Sequence, residues 1–92
     1  MEKVKLTVQD VRNAVNYMHD AELSEIVSEY SDDKLAEANL MSDLQMDSLD
    51  IIEMTLEIEQ ARSVCIPDEA YEKIRNSGGS VQAMLDIYNE FI

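Results

Sequence analysis

Tryptophan is absent from this 92-residue sequence, and cysteine, proline, histidine and phenylalanine occur once each. A single cysteine, Cys65, excludes an internal disulfide. With no Cys or His cluster around it, no zinc-type ligand spacing exists either. It is expected to be a small, half-buried structural residue. Two glycines and one proline, with few aromatic or β-branched runs, leave little to build strands and turns from. An all-α chain is therefore expected. The lone histidine, His19, and the lack of a Gly-x-Ser-x-Gly elbow remove the usual means of activating a serine, so catalysis is not expected. His19 falls near the end of the first helical pattern and reads as a surface or last-turn residue. No stretch approaches the ~20 apolar residues that span a bilayer. The start, Met1-Glu2-Lys3-Val4-Lys5, has no apolar leader-like run. A cytoplasmic protein without membrane insertion is the expectation.

Basic residues are scarce as well. Twenty Asp and Glu against seven Lys and Arg give a net charge of −13, which repels nucleic-acid phosphates and anionic lipid and argues against nucleic acid as a partner. Ninety-two residues form one domain, residues 1–92, because so short a chain buries only about 60–65% of its unfolded surface around one core.

What is present is helical rhythm with capping signals. Thr7 and Asp10 have capping-box spacing, and Val8, Val11, Val15 and Met18 then recur on one face. Leu23, Ile26, Val27 and Tyr30 continue the rhythm in a shifted phase, either extending this helix or forming a separate one. Residues 34–46 hold the apolar anchors Leu35, Leu40, Leu44 and Met46 without a sustained period and read as a long loop with one helical turn. Asp47 with Asp50 three residues on opens a second helix reaching about Arg62. Pro67 precedes a short third helix, Asp68 to about Arg75, with acids early and bases late. Ser80 caps a last helix whose Val81, Met84, Leu85, Tyr88 and Phe91 share a face.

The second helix carries more apolar residues than one buried face needs. At about 100° per residue, Ile51, Met54, Ile58 and Ala61 form one arc with Thr55 on its edge, and this arc is expected to face the core. Leu49, Ile52 and Leu56 fall nearly opposite, beside an acidic stripe of Asp50, Glu53 and Glu57. That second stripe is either buried in a small bundle or an exposed partner surface. The aligned carboxylates favour a surface for basic partners, with charge steering encounter and the apolar residues supplying burial. Ser48 sits in the first turn, where unpaired N–H groups and the positive helix end favour a phosphate by ~0.3–1 kcal/mol. Many ordinary helix-start serines share that position.

The run Asp43-Leu44-Gln45-Met46-Asp47-Ser48-Leu49-Asp50, with Ile66-Pro67-Asp68-Glu69 and Ser80-Val81-Gln82-Ala83 downstream, resembles the acyl carrier protein family over roughly residues 38–88. The resemblance implies a four-helix bundle with a long loop between helices one and two and a short third helix. It also implies that Ser48 accepts 4'-phosphopantetheine from coenzyme A through a separate phosphopantetheinyl transferase using magnesium. Acyl groups then travel as thioesters on that arm in fatty acid, other lipid or polyketide biosynthesis. By the same similarity Asp47 and Asp50 help the transferase dock. Glu53 and Glu59 match partner-contact positions for acyl synthases and acyltransferases with basic docking patches, and the carrier itself is a monomer that catalyses nothing. The chain departs from the family pattern at Gln45, usually glycine, at Gln60, often an acid, and at Arg62, often aromatic. It also has a longer amino-terminal segment and extra residues from Asn76 to Gly79. These departures leave open both the main fatty-acid carrier and a specialised relative. The rival reading is a non-catalytic acidic helical adaptor or divalent-cation-binding protein. An EF-hand starting at Asp43 would place Ser48 at the glycine position and Met54 at the bidentate glutamate position, which does not fit. No metal ligands are assigned.

Overall fold

The computed structural model describes residues 4–77 and 79–92. Gly78, within the Asn76–Gly79 departure, and Met1, Glu2 and Lys3 of the amino-terminal segment lie outside them. The described residues form six helices: α1 Val8–Tyr17, α2 Ala21–Ser28, α3 Asp32–Glu37, α4 Ser48–Arg62, α5 Asp68–Ser77 and α6 Val81–Phe91. The four expected helices are α1, α4, α5 and α6. The connection between the first two of these carries α2 and α3, so the shifted rhythm of Leu23 to Tyr30 belongs to a separate helix.

Local chemistry sets the boundaries. Thr7 and Asp10 form the anticipated capping box, with the Asp10 carboxylate accepting the Thr7 N–H at 2.8 Å. The chain then leaves α1 through His19, exposed and left-handed at φ 58°, a common way to end a helix. Asp20 caps α2 by accepting from the Leu23 N–H, and Ser31 caps α3 by accepting from the Lys34 N–H. Ser80 does the same for α6 through the Ala83 N–H.

Helices this short are unstable alone and depend on tertiary contacts. Arg12 on α1 donates to the carbonyls of Val27 and Tyr30 at the end of α2 and to the Asp32 carboxylate in the first turn of α3. One guanidinium thus satisfies orphan carbonyls of one helix and a carboxylate at the positive end of the next. The core draws on every helix: Val11 and Val15, Leu23 and Val27, Leu35, Met54 and Ile58, Ala70 and Ile74, and Met84, Leu85 and Tyr88 are all buried. The loop anchors Leu40, Leu44 and Met46 are buried too, which holds the segment before α4 against the bundle. Lys73 on α5 lies over the Phe91 ring of α6 at 5.2 Å from its centroid.

Two backbone pairings tie distant loops together. The Leu40 N–H donates to the Gly79 carbonyl and the Val81 N–H donates to the Ala38 carbonyl, at 3.2 and 2.9 Å, making an isolated antiparallel bridge between Asn39 and Ser80. At the other end of the molecule, the Asn89 side chain exchanges two hydrogen bonds with the Leu6 backbone, fixing the amino-terminal segment to α6.

Two burial expectations are corrected. Ala61 is exposed, beside Tyr17, Glu57 and Gln60 in an open depression. It falls at the edge of the inward arc, whereas Arg62 lies nearer the middle, and its guanidinium bonds Asp10 at 2.9 and 3.2 Å. Asp10 is 6% exposed, so the α1 capping acid is also the buried partner of an α4 cation. Cys65 is exposed because its neighbours Val64 and Ile66 take the inward places of the α4–α5 connection.

Candidate functional site

Helix α4 is built to present its first turn. The Asp47 carboxylate accepts the Asp50 N–H at 2.9 Å while the Asp50 carboxylate accepts the Asp47 N–H at 3.2 Å, so each acid fixes the other's backbone. Ser48, the first residue of the helix, is exposed between them. Its hydroxyl is not the capping group. The N-terminal N–H groups and the positive end of the helix macrodipole surround it.

Three residues upstream, Gln45 is left-handed at φ 59°, the region where a side chain costs about 1–2 kcal/mol and glycine costs least. Backbone strain is therefore held immediately before Met46, which buries and anchors the loop. Gln45→Gly is expected to raise stability by about 0.5–1 kcal/mol, the relief of the left-handed penalty less glycine's extra chain entropy. A urea denaturation midpoint that fell or stayed put would refute this.

The exposed side of α4 matches the second stripe. Leu49 is 60%, Ile52 39% and Leu56 50% exposed, while Ile51, Met54 and Ile58 are at most 1% exposed. The same helix is thus apolar on two sides, only one of which the bundle covers. Glu53 is exposed, Asp50 and Glu57 are half-buried, and all three border the open apolar side. Glu59, half-buried, also has a structural bond: its carboxylate accepts the Ile66 N–H at 2.9 Å and holds the loop leading to α5.

Beside this face a cleft of about 260 Å³ opens between α4 and α5, lined by Ile52, Thr55, Leu56, Glu59, Ile66, Asp68 and Tyr71. Tyr71 reaches from α5 to donate its hydroxyl to the Ser48 carbonyl at 3.3 Å, so the cleft begins next to Ser48. Thr55, 6% exposed, donates to the Ile51 carbonyl at 2.7 Å and is hydrogen-bonded to the buried Tyr88 hydroxyl. Burial pushes the Tyr88 phenol up to about 12, against the opposing effect of its hydrogen bond to Thr55. It stays protonated throughout the neutral range.

The structure brings together Asp47, Ser48, Leu49, Asp50, Ile52, Glu53, Leu56 and Glu57 on one accessible side of α4. It adds Tyr71, Ile66 and the Thr55–Tyr88 pair, which periodicity alone does not single out. Among the described residues no group of three or more His, Cys, Asp or Glu is arranged to hold a metal, and no helix is long and apolar enough to cross a membrane.

Comparison with known proteins supplies relatives that share a name. A protein named acyl carrier protein from Prochlorococcus marinus (strain MIT 9515) is 38% identical over 60 residues, covering 65% of this chain and 75% of the relative. Another of that name from Amoebophilus asiaticus (strain 5a2) is 39% identical over 70 residues, covering 67% of this chain and 88% of the relative. A third, from Syntrophobacter fumaroxidans (strain DSM 10017 / MPOB), is 51% identical over 39 residues, covering 42% and 48%. No family model and no solved structure matches the chain.

Proposed function

Because the chain belongs to the acyl carrier protein family, we propose that Ser48 is its loading point and that 4'-phosphopantetheine is the group it carries. The protein is an acyl carrier and not an enzyme. The observation that carries the finer reading is the position of Ser48, exposed as the first residue of α4 with its capping done by Asp47 and Asp50.

The surroundings fit such an arm. An exposed serine hydroxyl at a helix N-terminus can take a phosphodiester whose oxygens meet first-turn N–H groups and the positive dipole end. When bound, phosphopantetheine supplies a terminal thiol that holds an acyl group as a thioester. The protein's residues do the rest. The Asp47–Asp50 box fixes the turn that presents Ser48, the buried Leu44 and Met46 pin the loop before it, and the α4–α5 cleft offers shelter next to it.

Leu49, Ile52 and Leu56, edged by Asp50, Glu53 and Glu57, form the docking face in this reading. It serves the phosphopantetheinyl transferase and the acyl synthases and acyltransferases, whose basic patches complement the charge. The compartment is the cytoplasm, and the pathway is fatty acid or a related lipid or polyketide synthesis.

Incubation with coenzyme A, magnesium and a broad-specificity phosphopantetheinyl transferase is expected to add one phosphopantetheine mass to the intact chain. An unchanged mass with several such transferases would overturn the reading. Glu53→Lys is expected to slow loading about 3- to 10-fold at low salt, an effect that fades as salt screens it. Equal rates at every ionic strength would show that the acidic stripe takes no part.

A further inference from the structure

On the other flank of α4, away from α5, the molecule exposes an aromatic ring. Tyr17, the last residue of α1, is 63% exposed, more than any other large apolar side chain among the described residues. With Glu57, Gln60 and Ala61 of α4 it lines an open depression of about 380 Å³. Alanine at position 61 keeps that space open, since a longer side chain there would occupy part of it.

The polar groups of the depression lack partners. Among the described residues, the Tyr17 hydroxyl, the Glu57 carboxylate and the Gln60 carboxamide enter no hydrogen bond or ion pair. Two other acids of α4 are occupied, Asp50 by the Asp47 N–H and Glu59 by the Ile66 N–H. Arg62 follows Ala61 in the chain but bonds Asp10 instead, and no Lys or Arg lines the depression. Glu57 is half-buried, so its charge is partly stripped of water with no cation of this chain to answer it.

A ring, a carboxylate and an amide oxygen around a shallow space suit one guest chemistry. A guanidinium is flat and weakly hydrated, stacks on an aromatic face and offers a fork of N–H donors to carboxylate and amide oxygens. An ammonium is compact and strongly hydrated, and stacks on nothing. Size agrees: at about 30 Å³ for a water-sized group, a depression of about 380 Å³ has room for an arginine side chain but not for a helix. The net charge of −13 draws cationic surfaces toward it.

We propose that this depression at the α1–α4 edge seats an arginine of a partner enzyme, with Tyr17 taking the face of the guanidinium and Glu57 its N–H edge. The kind of partner rests on the carrier reading: it is an enzyme that meets Ser48. At 1.5 Å per residue, Glu57 to Ala61 stand about 14–20 Å along α4 from Ser48. The partner therefore carries this arginine about that far from the place where it receives the arm. The seat widens the face of Leu49, Ile52 and Leu56 onto a second helix.

The test titrates the full chain at low salt with three acetylated and amidated tripeptides, Gly-Arg-Gly, Gly-Lys-Gly and Gly-citrulline-Gly. Nuclear magnetic resonance of the Tyr17 ring and the Gln60 side-chain amide reads occupancy. The arginine peptide is expected to give a saturable shift at both, about 3-fold tighter than the lysine peptide, and the uncharged citrulline peptide none. Followed at Gln60, Tyr17→Leu should weaken the arginine peptide about 3- to 10-fold and Glu57→Gln about 2- to 5-fold, the latter fading with salt. Ala61→Leu fills the space and should abolish the shift. Glu90→Gln makes the same charge change at an exposed place on α6 and should bind as the parent does. Melting temperatures establish that each variant is folded.

The absence of a saturable shift at Tyr17, a citrulline or lysine peptide that binds as well, or parent-like binding by Tyr17→Leu and Ala61→Leu would overturn the seat while leaving the carrier reading intact. Arm attachment at Ser48, read separately by intact mass, bears on the carrier reading: its failure would remove the partner assigned here without touching the peptide result.

Discussion

Ser48→Ala is expected to abolish arm attachment completely while leaving the fold within about 0.5 kcal/mol of the parent, the range of ordinary surface changes. The separation of the two effects follows from the geometry. Asp47, not Ser48, accepts the Asp50 N–H, and the Ser48 side chain is exposed, so the serine is dispensable to the helix it begins. Asp47→Ala is the informative contrast: loss of the cap costs about 1 kcal/mol while the hydroxyl remains. Intact mass after transferase treatment and a urea melt of each variant measure both quantities. Loading that persists in Ser48→Ala would place the attachment elsewhere.

Adjacent isoleucines should give opposite outcomes. Ile51→Ala removes a side chain that is 1% exposed and leaves a cavity between α4 and the rest of the core, a loss of about 2–5 kcal/mol. Ile52, 39% exposed, lies on the open side, where truncation costs little stability but removes apolar contact from the proposed docking face. Ile52→Ala is therefore expected to keep its denaturation midpoint and lose about 5- to 30-fold in transferase or acyltransferase efficiency, about 1–2 kcal/mol for an interface side chain. Parent-like coupling in Ile52→Ala would mean that partners dock elsewhere. A mild effect of Ile51→Ala would mean that the site collapses around the missing side chain.

The contrast between these neighbours was readable from the sequence because a helix of fifteen residues carries four turns of pattern, enough for two apolar stripes to separate. The caps at Thr7, Asp47 and Ser80 were readable for a similar reason: each is a local signal between residues three apart. Helices α2 and α3 were less so. Eight and six residues give little periodicity, and Arg12, which ties their ends together, lies outside both. Ala61 misses its expected inward place because hydrophobicity alone ranks alanine as the inward residue. Arg62 instead reaches a buried carboxylate 52 residues away. The Thr55–Tyr88 pair and the Tyr71 bond to Ser48 likewise join positions 33 and 23 residues apart. A helical wheel places each residue on its own helix but does not say which residue it meets.

The bridge between residues 38–40 and 79–81 bears on which changes in chain length the molecule can absorb. A surface connection between two helices is ordinarily the place where residues are gained or lost at little cost. Here the connection ahead of α6 is an exception. From Gly79 onward its backbone is committed to Ala38 and Leu40, so an insertion or deletion there would shift the pairing and, through Leu40, pull on the segment that leads to Ser48. Chain length at 79–81 is therefore tied to the placing of the first turn of α4.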